Sequence, residues 1–190
     1  MTEITVFYLP QEGRPSDLLL RTAAALYAGS APEEYETVRE TGKKPRFLHH
    51  PEICASVSHS GGIWAAAFSG GGEVGLDIQL LTASPRRDRI ARRFFHPNEA
   101  EAVLSSPDPD KAFSRIWCRK EAAVKLSGAG IDGRFSSFDV TGPNPVEVFG
   151  ESVFLADFTL PGHPGLFASA AFSTPFSIRL QPIPSENLTY

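Results

Sequence analysis

The chain has 190 residues, 42% of them hydrophobic and 21% charged, with a formal net charge of −4. That balance suits a folded globular protein with a sizeable core, excluding a chain disordered throughout, and the net acidity excludes a global basic field that would recruit nucleic acid. Cys54 and Cys118 make no disulfide framework, MTEITVFYLP lacks a leader pattern, and no apolar run reaches the roughly 20 residues that span a bilayer, so a cytoplasmic protein with reduced thiols is expected.

EITVFYL, residues 3–9, is rich in β-branched and aromatic residues and predicts a strand, broken by Pro10 and Gly13. Asp17 is the expected N-cap of a helix through LLLRTAAALYAG that ends at Gly29. YETVRE, Tyr35 to Glu40, predicts a second strand leading into the loop TGKKPRFLHHPEI. Lys43, Lys44 and Arg46 on that loop suit a phosphate clamp, although solubility alone also accounts for them. ASVSHSGGIWAAAFSGGGEVGLDIQ then reads as strand, turn, strand, turn, strand. Ser58, His59 and Ser60 precede the Gly61-Gly62 turn, placing hydroxyls and an imidazole beside exposed backbone amides, an arrangement able to hold a phosphate. For His59 alone, a bond to local backbone is an equally good account. VGLDIQ places Asp77 inside an apolar run.

Ser84 and Pro85 predict the start of an arginine-rich helix. Ile90, Phe94 and Phe95 form its expected buried face, with most of Arg86, Arg87, Arg89, Arg92 and Arg93 opposite. That basic cluster suits an acidic partner or phosphates, or is simply a solvated face. His96-Pro97 interrupts the helix and Asn98 caps the short run EAEAVL. Lys111 begins a long helix carrying Trp117, Glu121 and Lys125 near one face, ended by Gly128 and Gly130. The last third predicts strands in FSSFDV, PVEVFG, SVFLADFTL and GLFASAAFSTPFSIRL, followed by a loosely held tail, PIPSENLTY. WAAAFS at Trp64 to Ser69 is similar to ASAAFS at Ala168 to Ser173, each closing a half built of strand, helix and further strands. The expectation is an α+β protein of two similar lobes, residues 1–73 and 74–190, with a cleft between them. Asp77 and Glu121, two acids in apolar settings, suggest a metal site.

GKKP (Gly42 to Pro45), SVSHSGG (Ser56 to Gly62), VGLDIQ (Val74 to Gln79) and WCRKEAAVK (Trp117 to Lys125), with RRFFHPNEAE (Arg92 to Glu101), resemble in order and spacing the surfactin-type 4′-phosphopantetheinyl transferases. The resemblance implies a pseudo-twofold α+β fold with the active site in the cleft. It implies a reaction that moves the phosphopantetheine arm of coenzyme A onto a serine of an acyl or peptidyl carrier protein, releasing adenosine 3′,5′-bisphosphate. Asp77 and Glu121, with Gln79 where many relatives have Glu, would hold Mg²⁺ or Mn²⁺. Lys125 would lie at the pyrophosphate with Lys120 on phosphate nearby, Ser58 and His59 at the nucleotide 3′-phosphate, and Lys43, Lys44 and Arg14 toward the nucleotide end. Glu121 or Glu99 is the expected base, a metal-bound water being the other option. A carrier acidic around its serine would dock near Arg86, Arg89 and Arg93 of a monomer. One rival is a non-catalytic coenzyme A or carrier-binding protein of the same fold, which Gln79 favours. The other is a zinc module of His49, His50, Cys54 and His59, whose spacings do not match a closed zinc site.

Overall fold

Residues 1–128 and 134–188 are described in the computed structural model of the chain. The β-branched N-terminal run forms β1 (Thr2–Pro10), and the Leu/Ala-rich run forms α1 (Ser16–Ala28), closed by Gly29 at φ 75°, a left-handed conformation that a Cβ disfavours. Asp17 is not the cap: Pro15 holds that position, and Asp17 sits in the first turn, where its carboxylate accepts from Thr37 Oγ1. YETVRE yields only the two residues of β2 (Thr37–Val38), paired with β3 (Arg46–Phe47).

The strand, turn, strand, turn, strand reading holds as β4 (Cys54–Ser60), β5 (Ile63–Ser69) and β6 (Gly75–Leu80). Three helices follow, α2 (Arg87–Phe94), α3 (Pro97–Leu104) and α4 (Pro109–Ser127), then β7 (Val146–Val148), β8 (Glu151–Phe158), β9 (Leu166–Phe172) and β10 (Phe176–Pro182). One four-stranded sheet runs β10-β1-β5-β4 and another β6-β9-β8-β7. β5 is buried throughout because both its faces are covered. Trp64, Ala66 and Phe68 share a core with α1, while Ala65 and Ala67 share one with Leu76, Ile78, Ala168 and Phe172 of the second sheet. A third core gathers Ala91, Phe95, Val103 and Val124 of the later helices with Leu155 and Ala171. Gly75 is required where β6 meets α4, since a Cβ there would stand 1.9 Å from the Ala122 carbonyl oxygen.

The two sheets meet where β4 lies beside β6. The Oγ atoms of Ser56, Ser58 and Ser60 accept from the backbone N–H groups of Leu76, Ile78 and Leu80 at 3.0, 3.2 and 2.9 Å. These hydroxyls satisfy edge amides that would otherwise be buried without partners.

Several expectations are corrected. The division at residue 73 is crossed, because β10 runs parallel to β1 and flanks it in the first sheet. FSSFDV forms turns, its Phe135 and Phe138 buried in the third core. The arginine helix starts at Arg87, after Ser84 and Pro85; on it Ala91 is buried while Phe94 is 41% exposed. His96 rather than Asn98 caps α3, its ring accepting from Asn98 N, and Asp108 caps α4 ahead of Lys111. The C-terminal tail is held, with Ile183 and Leu188 buried against α1. α4 closes at Gly128 in a left-handed conformation; Gly130 lies outside the described residues. Among the described residues, no helix is long and apolar enough to cross a membrane.

Candidate active site

A cleft of about 500 Å³ opens between β4, the loop at residues 39–45 and the C-terminal half of α4. Glu121 and Lys125 line it from α4, where a spacing of four puts them on one helical face. His59 reaches it from β4, and Lys43 and Lys44 from the loop.

Asp77, 6% exposed, does not itself line the cleft but is bonded to Lys125, which does. Its Oδ1 accepts from Lys125 Nζ at 2.8 Å and from Ser58 Oγ at 2.8 Å. Its backbone carbonyl accepts from Cys118 Sγ at 3.1 Å. Glu121 is 9% exposed and its carboxyl is pushed up to about 7, chiefly by burial, then by the neighbouring Asp77 carboxylate, with Lys125 opposing. Two adjacent acids, one of them without a donor among the described residues, form an oxygen donor set short of positive charge. A hard divalent cation fits that deficit. Gln79 lies on the same face of β6 as Asp77, and its amide nitrogen donates to the Leu80 carbonyl at 3.1 Å. Among the described residues there is no group of three or more His, Cys, Asp or Glu that could hold a metal ion.

Four predicted residues are placed elsewhere or tied down. Lys120 and Glu99 form a closed pair, both side chains 0% exposed, with Nζ 2.8 Å from Oε2. Lys120 also donates to the Phe138 carbonyl at 2.7 Å, and Glu99 accepts from Val140 N and His96 N. Sealed from the cleft, neither contacts phosphate nor serves as base; they brace α4 against α3 and the 135–140 turn. Arg14 pairs with Glu12 at 2.7 Å and does not line the cleft. Lys44 lines it, but its Nζ is taken by Glu73 at 2.7 Å, Val74 O at 2.9 Å and Leu126 O at 3.3 Å, and burial pulls its ammonium below the usual range. It is a strut from the loop to the end of α4. Lys43 is exposed and pairs with Glu40.

Ser58 is a different correction. In a strand, neighbours face opposite ways, so His59 turns to the cleft while Ser58 turns inward, 6% exposed. A hydroxyl has one proton, and that of Ser58 goes to Asp77, leaving none for a phosphate. Sequence reasoning missed Arg39, Gln11 and Ser16, all of which line the cleft. Arg39 lies just ahead of the GKKP loop and was legible by proximity; Gln11 and Ser16 carry no such signal.

Glu121, Lys125, His59, Lys43 and Arg39 thus line one cleft, with Asp77 bonded to Lys125. Residues 73–157 match the 4′-phosphopantetheinyl transferase superfamily. The chain is 31% identical to the 4′-phosphopantetheinyl transferase HetI of Nostoc over 66% of its own length and 56% of that protein's. It is 34% identical to a 4′-phosphopantetheinyl transferase of Bacillus subtilis over 65% of its length and 55% of the other's. A solved holo-[acyl-carrier-protein] synthase of Thermotoga maritima overlaps 52% of this chain and 60% of its own at a TM-score of 0.38 and 17% identity, too loose a match to bear on the fold. By sequence the chain is similar to 4′-phosphopantetheinyl transferases. It spans about half the length of the relatives it matches.

Proposed function

We propose that the protein transfers the 4′-phosphopantetheine group of coenzyme A to a serine of an acyl or peptidyl carrier protein. The observation that carries this reading is that Glu121 and Lys125, with Asp77 bonded to Lys125 and close to Glu121, share a cleft with His59, Lys43 and Arg39. In the reaction the serine oxygen bonds to the phosphorus bearing the pantetheine arm, the pyrophosphate P–O bond breaks, and adenosine 3′,5′-bisphosphate leaves. Lys125 steadies the departing phosphate charge, and His59, Lys43 and Arg39 hold the nucleotide phosphates. Glu121 is suited to take the serine proton, because its carboxyl lines the cleft. Asp77 and Glu121, with Gln79 nearby, would hold Mg²⁺ or Mn²⁺, which when bound neutralises pyrophosphate charge.

The two sheets read as two lobes, with the first sheet and α1 gripping the nucleotide. One chain supplies every residue named, in keeping with a monomer, and coenzyme A as donor suits the cytoplasm. Arg86, Arg89 and Arg93 are exposed and form the proposed docking surface for an acidic carrier. Gln79 supports a second reading, a coenzyme A binder without turnover, since an amide replaces one negative charge beside the acids. Incubation with Mg²⁺, coenzyme A and apo-carrier, followed by intact mass spectrometry, separates the two. The transferase reading expects the phosphopantetheine mass on the carrier and none with Asp77→Ala. Coenzyme A binding with no mass gain on several acyl and peptidyl carriers would favour the binder.

A further inference from the structure

Of the three serines that stitch β4 to β6, Ser58 alone makes a second bond. Ser56 and Ser60 accept from Leu76 N and Leu80 N and touch no acid, whereas Ser58 accepts from Ile78 N and also donates to Asp77 Oδ1 at 2.8 Å. Lys125 donates to the same oxygen at 2.8 Å and to Val57 O at 3.4 Å. Oδ1 thus carries two donors from two directions, while nothing among the described residues donates to Oδ2. Both partners of the Ser58–Asp77 bond are 6% exposed, so water does not compete for it.

We propose that Ser58 is a positioning residue: it fixes the Asp77 carboxylate so that Oδ1 is spent within the protein and Oδ2 is left for a cation. This rests on the function proposed above. The rung to Ile78 ties Ser58 to the backbone of the residue after Asp77, so strand and carboxylate are set together. One hydroxyl therefore links the joint between the sheets to the acid. Groups that orient a metal-binding side chain typically change metal affinity about 10- to 100-fold when removed.

The test compares Ser58→Ala, Ser58→Thr and Ser60→Ala. Mn²⁺ binding in the presence of coenzyme A is read by electron paramagnetic resonance, and coenzyme A binding in EDTA by calorimetry. Ser58→Ala is expected to weaken Mn²⁺ about 10-fold or more while coenzyme A affinity in EDTA stays within about twofold. Ser60→Ala, which loses a rung but no contact to the acid, should leave both values near wild type, and Ser58→Thr should restore Mn²⁺ binding. Weakened coenzyme A with unchanged Mn²⁺ would make Ser58 a nucleotide contact and overturn the proposal. An equal loss in Ser60→Ala would overturn it too, by assigning the effect to the joint. A wild type that binds no Mn²⁺ would sink the functional reading instead. The Asp77 rotamer in crystals of Ser58→Ala would then decide the positioning claim, an unmoved carboxylate overturning it.

Discussion

At neutral pH the Glu121 carboxyl stands at its titration midpoint, about 7 against an ordinary 4.5, because burial and the Asp77 charge outweigh the pull of Lys125. Between those two values the folded protein keeps a proton that the unfolded chain has lost. Stability from this residue is therefore fully present below about pH 4.5, falls as pH rises through the window, and levels off above the folded value. The shift amounts to about 3 kcal/mol at roughly 1.4 kcal/mol per unit. Glu121→Gln keeps the shape and removes the titration. Urea unfolding in EDTA, followed by tryptophan fluorescence, should show the variant gaining on wild type by about 3 kcal/mol between pH 4.5 and pH 8. Mg²⁺ with coenzyme A should flatten the wild-type profile, since a bound cation favours the ionised acid. A wild-type-to-variant difference constant within about 0.5 kcal/mol across that range would refute the reasoning.

The sealed Glu99–Lys120 pair gives a second expectation. Lys120→Met should cost about 3–5 kcal/mol in urea unfolding, and adding Glu99→Gln should recover part of it, because removing one partner strands a buried charge. Gly75→Ala should cost about 3 kcal/mol or more in the same assay and abolish carrier labelling, since the new Cβ meets α4 backbone that cannot step aside. Replacing Arg86, Arg89 and Arg93 by Glu should raise the carrier KM and reduce its salt dependence while calorimetry shows coenzyme A binding unchanged, because exposed charges act mainly through screened encounter.

Where the sequence carried a period, it was readable. The glycine-punctuated run from Cys54 to Leu80 gave three strands, and the spacing of Glu121 and Lys125 gave one wall of the cleft. The same spacing argument would have removed Lys120, which stands about 100° around the helix from Glu121 and falls off the site face. Strand alternation would likewise have separated Ser58 from His59; treating SHS as one phosphate-binding cluster ignored the pleat. Other features had no local signal. Phe135 and Phe138 have strand-forming side chains, yet they form turns packed around the Lys120 ammonium, 5.2 and 3.8 Å from it. Ala91 is buried where Phe94 was expected, because the packing of α2 against α3 and α4, set by tertiary contacts, selects the face. The strut from Lys44 to Leu126 O joins residues far apart in sequence, and only the folded chain reveals it.

The return of β10 to β1 bears on how the protein is made. Thr2 opposes Phe176 and Tyr8 opposes Pro182, so β1 is made well over a hundred residues before the strand that flanks it. Until residue 182 emerges, β1 offers an open row of backbone donors and acceptors, with Ile4 and Val6 awaiting cover from Ile178 and Leu180. Such long-range pairing is slow to form. A chain truncated ahead of Phe176 would keep that edge of β1 open.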